Sequence, residues 1–130
     1  MRGRSRTDWW GMVLDAPDGV ALARFYSGLL GWPIAQQEGG EAAIAVPGTT
    51  SYLAFQTEAR YVPPVWPADG SHQQMMMHLD IAVDDVAAAV ADAVELGATV
   101  AEFQPQGDVR VLLDPAGHPF CLYYDHELDE

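Results

Sequence analysis

The sequence predicts an α+β fold made of two βαβββ repeats that form a curved mixed sheet around a cleft. Three observations predict it. Two amphipathic helical stretches recur, each opened by an aspartate and closed by Leu-Gly: Asp18 to Leu30-Gly31, and Asp84 to Leu96-Gly97. A strand-like apolar segment precedes each stretch, and three more follow it. A proline-rich segment separates the two copies. One half alone would leave a sheet face exposed that pairing buries, so the internal repeat decides the fold.

In the first copy, Trp10 to Ala16 reads as a strand, closed by the turn pair Pro17-Asp18. Leu22, Phe25, Tyr26, Leu29 and Leu30 follow with helical spacing and make one apolar stripe. Asp18 is placed to cap that helix, and Gly31 with Pro33 to stop it. Strands are expected near 33–38, 42–47 and 51–57, broken at Gly39-Gly40 and Pro47-Gly48. Residues 58–74 form a linker, expected to lie over the cleft. Its run from Arg60 to Pro67 holds too much proline for a helix or a central strand, and Asp69-Gly-Ser-His72 reads as a turn.

The second copy starts with an alternating strand from Met76 to Val83. Val86, Ala89, Val90, Ala93 and Val94 form the helical stripe, with Asp84 or Asp85 as cap and Gly97 as stop. Strands follow near 98–103, 109–113 and 119–124, with a turn at Asp114-Pro-Ala-Gly117. The expected organisation is a single domain over 1–130, with repeat one at about 8–57 and repeat two at about 75–125.

Composition narrows the function classes. Hydrophobic residues make up 49%, enough for a packed core, yet no apolar run reaches the ~18 residues of a membrane helix. The formal charge is −13, and three of the six basic residues (Arg2, Arg4 and Arg6) sit in the first few positions. Arg24, Arg60 and Arg110 are left against all 19 acidic residues, a balance that repels a phosphate backbone and excludes nucleic acid as partner. Cys121 is the only cysteine, so no internal disulfide forms; with no apolar leader, a cytoplasmic location is expected.

The landmarks resemble the vicinal oxygen chelate superfamily, which includes glyoxalases, bleomycin-resistance proteins and extradiol dioxygenases. The first half matches through Asp18, Phe25-Tyr26 and Leu30-Gly31-Trp32. The second matches through His78-Leu-Asp-Ile-Ala-Val-Asp84, Leu96-Gly97-Ala98 and the run from Asp114 through Gly117-His118 to Phe120-Cys121-Leu122. The linker Pro63-Pro64-Val65-Trp66-Pro67 is similar to that of actinobacterial glyoxalase-like domains. The resemblance is specific for fold and spans roughly residues 8–125; this scaffold hosts lyases, dioxygenases and pure binders alike.

In the metal-dependent relatives, first-strand and last-strand side chains of both halves hold a divalent ion. Carried over, those positions are Gly11 (or Met12), near Gln56, His78 and Cys121. Glycine offers no donor, and Cys121 stands where glutamate is usual, within a Phe-Cys-Leu context that suits a small buried hydrophobe. No cofactor is therefore expected; His78 and Gln56 are the ligands if a divalent metal binds. The triplet Met75-Met76-Met77 is read as packing, because a strand splits its side chains between two faces.

Strand alternation assigns the cleft face. Trp9, Gly11, Val13 and Asp15 share it in the first strand, and His78, Asp80 and Ala82 in the second copy. Tyr52, Gln56, Cys121 and Tyr123 come from further strands, with Trp66 above. The ligand-binding set is Trp9, Tyr52, Gln56, Trp66, His78, Asp80, Cys121 and Tyr123; Asp15 and Asp80, near-equivalent in the two halves, are the candidates for acid–base work. The implied function is small-molecule binding by a glyoxalase-like protein with a degraded or absent metal site and an apolar or aromatic ligand, as the bleomycin-resistance relatives bind without catalysis. The alternatives are a metal-dependent lyase or dioxygenase of the same superfamily and an interaction domain with a vestigial cleft. A homodimer is expected from exposed Trp9, Trp10 and Trp66.

Overall fold

The computed structural model describes residues 1–129 and resolves them into two compact units, the first covering Met1–Tyr61 and the second beginning at Val62. Each unit is a βαβββ repeat, as the sequence predicts. Unit 1 holds β1 (Trp10–Ala16), α1 (Gly19–Leu30), β2 (Ile34–Glu38), β3 (Glu41–Ala45) and β4 (Ser51–Thr57). Unit 2 holds β5 (Leu79–Val83), α2 (Val86–Leu96), β6 (Thr99–Val100), β7 (Val109–Leu113) and β8 (Pro119–Tyr124), followed by a short 3₁₀ turn.

Both four-stranded sheets have the same strand order, β1-β4-β3-β2 and β5-β8-β7-β6. In each, the first strand pairs parallel with the last and the other contacts are antiparallel. A parallel pair needs a crossover, and the helix supplies it.

Local chemistry explains the helices. The Asp18 carboxylate accepts the backbone N–H of Ala21 at 3.1 Å, and Gly31 ends α1 in the left-handed conformation at φ 73°, where a side chain would be strained. In unit 2 the cap is Asp85, which accepts from Ala88 at 3.0 Å, so α2 has 11 residues against 12 in α1. Asp84, the other candidate, lies before the cap.

The faces of α1 follow the predicted stripe. Leu22, Phe25 and Tyr26 are buried against Ile44, Leu53 and Phe55, and the Tyr26 ring stacks on Phe55 at 5.6 Å. Unit 2 packs more thinly. Of the predicted α2 stripe only Ala93 is fully buried; Val94 is exposed, because a mostly alanine helix reaches the sheet along a narrow line. Ala98, Val111, Leu112, Phe120 and Leu122 are also buried in that core.

Two boundaries differ from the sequence reading. β5 starts at Leu79, not Met76, and Met76 and Met77 are exposed ahead of it. The predicted strand at 98–103 is only Thr99–Val100, since Ala101 and Gln104 turn back onto β7 through the Val111 backbone. Among the described residues, no helix is long and apolar enough to cross a membrane.

Candidate functional site

Strand register sorts the open face of the unit 1 sheet into rows, because paired residues share a face. At one end lie Gly11, Tyr52 and Ala45, with the Trp9 ring 6.4 Å from Tyr52. The middle row is Val13, Ala54, Ala43 and Gln36. The far row is Asp15, Gln56, Glu41 and Glu38. A groove of about 880 Å³ runs over this face, lined by Trp9, Tyr52, Val13, Ala54 and Gln56 among others. Leu14, Leu53 and Phe55 project to the other side, toward α1.

Gly11 is glycine for a packing reason. A Cβ there would overlap the Tyr52 ring and lie 2.6 Å from the Tyr52 carbonyl oxygen. The aromatic ring thus occupies the space that a donor side chain at this position would need.

The corresponding face of unit 2 carries polar side chains. His78 Nε2 lies 3.0 Å from Asp80 Oδ1, and Asp80 is the direct cross-strand partner of Cys121. Tyr123 stands beside Ala82 in the same pairing. Burial first, then the Asp80 charge and its hydrogen bond, push the Cys121 thiol above its ordinary pKa. Strand ends at Ala16 and Val83, each two residues before its cap, align the repeats and make Gly11 equivalent to His78 and Val13 to Asp80. Asp15 then matches Ala82, so the two aspartates are not equivalent.

Register also places Ala54, not Gln56, at the position equivalent to Cys121. Gln56 lies one pleat further on and donates to Asp15 at 2.6 Å. At the two unit 1 positions that the resemblance assigns to metal ligands, glycine and alanine therefore stand, without a donor side chain. In unit 2 the donor atoms of His78, Asp80 and Cys121 all lie within 4.8 Å of one another, a set of imidazole, carboxylate and thiol that suits zinc better than a hard ion. The sequence reading took Asp80 for a ligand contact or acid–base group and missed it as a donor; the i, i+2 spacing from His78 was the available signal.

Other expected residues have their own partners. Trp66 is half-buried and packs on Phe103, ring centroids 5.7 Å apart. His118 is mostly buried, with Nδ1 2.8 Å from the buried Asp114 carboxylate. His72 pairs with Asp69 and His126 with Asp108. Arg110 spends its guanidinium on the carbonyls of Gln106, Gly107 and Val109 and not on Asp80.

Residues 11–123 match the profile of the glyoxalase-like domain. The chain belongs to that family. Solved structures agree on the fold. A glyoxalase/bleomycin resistance protein/dioxygenase family enzyme from Burkholderia phytofirmans PsJN superposes with TM-score 0.64 at 18% identity, covering 88% of this chain and 95% of that one. TnmS3, an antibiotic binding protein from Streptomyces sp. CB03234, gives TM-score 0.57 at 18% identity, with 95% and 98% covered. Lactoylglutathione lyase from Agrobacterium tumefaciens gives TM-score 0.57 at 15% identity, with 93% and 96% covered. At these identities the likeness shows the glyoxalase fold alone. No curated protein matches the chain.

Proposed function

We propose that this glyoxalase-like domain binds a small apolar or aromatic molecule and that the metal centre its family builds from both halves is degraded. One observation carries the reading: the Tyr52 ring fills the space over Gly11, where a metal-binding side chain would stand. The same ring, with Trp9, gives the groove an aromatic wall, and Gln56 with Asp15 gives it a polar end. Aromatic walls with a few polar groups are the usual make-up of small-molecule sites. The antibiotic binding neighbour supports the class of function by analogy of fold. Trp9, Tyr52 and Gln56 are the proposed contacts in unit 1. Trp66, His78, Asp80, Cys121 and Tyr123 are the proposed contacts in unit 2.

The test is calorimetric titration with a panel of aromatic antibiotics and aromatic cations. At least one member should bind the parent chain and bind Tyr52→Ala more weakly, with Trp66→Ala separating a contact from a packing role. Failure of the whole panel to bind, or equal binding by Tyr52→Ala, overturns the reading.

The second reading, a metal-dependent lyase or dioxygenase, is favoured by the His78–Asp80–Cys121 group. It would assign the proton-moving role to Asp15 or Asp80, and it predicts turnover that chelation abolishes. We also propose a two-fold homodimer, supported by the exposed Trp9 and Trp10, and a cytoplasmic location, with which the single free Cys121 is consistent. Light scattering at micromolar concentration that returns a monomer mass would refute the dimer.

A further inference from the structure

Unit 2 brings three ligating side chains to one face of its sheet. His78 lies immediately before β5, Asp80 follows two residues later, and Cys121 lies opposite Asp80 on β8. Alternation along the strand and pairing across it aim all three the same way. Their donor atoms lie within 4.8 Å of one another, and His78 Nε2 is 3.0 Å from Asp80 Oδ1.

We propose that unit 2 binds a zinc-type thiophilic ion by itself, through the His78 imidazole, the Asp80 carboxylate and the Cys121 thiolate. A tetrahedral ion with bonds of about 2.0–2.3 Å sets its donors roughly 3.3–3.7 Å apart. The histidine–aspartate edge, at 3.0 Å, is shorter than that and would open by a few tenths of an ångström as the ion enters, while the sulfur, within 4.8 Å, would close in by side-chain rotation. The thiolate beside one nitrogen and one oxygen donor selects zinc over magnesium, calcium and manganese, which prefer hard oxygen donors. Three protein donors leave the fourth position to water. The His78 and Asp80 side chains are 39% and 57% exposed, so an ion reaches them directly. On binding, the Cys121 thiol loses its proton to solvent and the sulfur bonds the metal.

Asp80 sets this site apart from the family's shared centre. It stands where unit 1 has Val13, outside the four inherited ligand positions, and no donor from unit 1 is required. The inference goes beyond the proposed ligand binding, which needs no ion.

The full chain, stripped with chelator, is titrated with cobalt(II) and then with zinc. One equivalent of cobalt should give a thiolate charge-transfer band in the near ultraviolet and visible absorption of four-coordinate strength. Zinc should erase both, and manganese should not. Cys121→Ser should remove the charge-transfer band, while His78→Ala and Asp80→Asn should each weaken zinc binding by roughly tenfold or more, with circular dichroism unchanged. An absent charge-transfer band, competition by manganese equal to that by zinc, or parental zinc affinity in Asp80→Asn overturns the proposal. Calorimetry of the ligand panel on metal-free parent chain tests ligand binding separately, so either reading can fail alone.

Discussion

The Gln56 side-chain amide donates to the Asp15 carboxylate at 2.6 Å, and the two are direct partners in the parallel pairing of β1 and β4. A half-buried carboxylate is held there by a neutral donor. Gln56→Ala should cost about 1.5–3 kcal/mol, the range for a hydrogen bond to a charged group. Gln56→Glu should cost more, because it sets like charges side by side. Urea unfolding of both single variants and of Gln56→Ala with Asp15→Ala gives the coupling. A coupling near zero would mean the bond contributes nothing to stability.

Asp114 organises the turn between β7 and β8. Its carboxylate accepts the backbone N–H of Ala116 at 2.9 Å and of His118 at 3.0 Å, and it also meets the His118 ring. The residue is 4% exposed, so losing the carboxylate strands part-buried donors. Asp114→Ala should destabilise unit 2 by about 2–4 kcal/mol, more than one charge-assisted bond. His118→Phe should cost less, since both backbone bonds survive. Equal losses in the two variants would show that the imidazole, and not the turn, carries the effect.

The turn at Asp69 has a predictable pH response. The backbone N–H of Ser71, then the His72 side chain, hold the Asp69 carboxyl below its ordinary pKa. A depressed folded pKa contributes stability that is present above the unfolded value of about 3.9 and is lost as pH falls through the lower, folded value. Carbon-detected NMR should show Asp69 titrating below the unfolded aspartate value, and His72→Ala should move its midpoint up. A midpoint at or above the unfolded value would contradict the bonding seen in this turn.

What could be read from the sequence was mostly local. Asp18, Gly31 and the stripe from Leu22 to Leu30 specify α1 within a few turns of chain, and the structure has that helix where they place it. The second copy was harder because its helix is nearly all small residues. The stripe there names Val94, which is exposed, and leaves the cap open between Asp84 and Asp85. The site depended on register, which one strand cannot reveal. Alternation put Cys121 and Asp80 on one face, yet only the pairing of β5 with β8 makes them neighbours. The same register moves the Cys121 equivalent from Gln56 to Ala54, a shift of one pleat that removes unit 1 from the donor set.

Gly11 offers the sharpest check on the packing of the Tyr52 ring in unit 1. An added Cβ would overlap the Tyr52 ring, which can rotate, and would lie 2.6 Å from the Tyr52 carbonyl oxygen, which is fixed in the β1–β4 pairing. Gly11→Ala should therefore destabilise unit 1 by about 1–3 kcal/mol, the usual cost of overpacking. Tyr52→Ala removes the ring but leaves the carbonyl. In the double variant the penalty of the added methyl should shrink without vanishing, giving a favourable coupling of roughly 0.5–2 kcal/mol. Gly11→His should destabilise at least as much as Gly11→Ala and should not raise zinc affinity, because the Tyr52 ring, its cross-strand partner, fills the space the imidazole would need, and Ala54 next along β4 offers no donor. Chemical denaturation of the four chains, with zinc titration of Gly11→His, measures all of this. Full additivity of Gly11→Ala and Tyr52→Ala would show that the ring does not hold the space over Gly11, and a gain of zinc affinity in Gly11→His would show that unit 1 keeps a usable metal position.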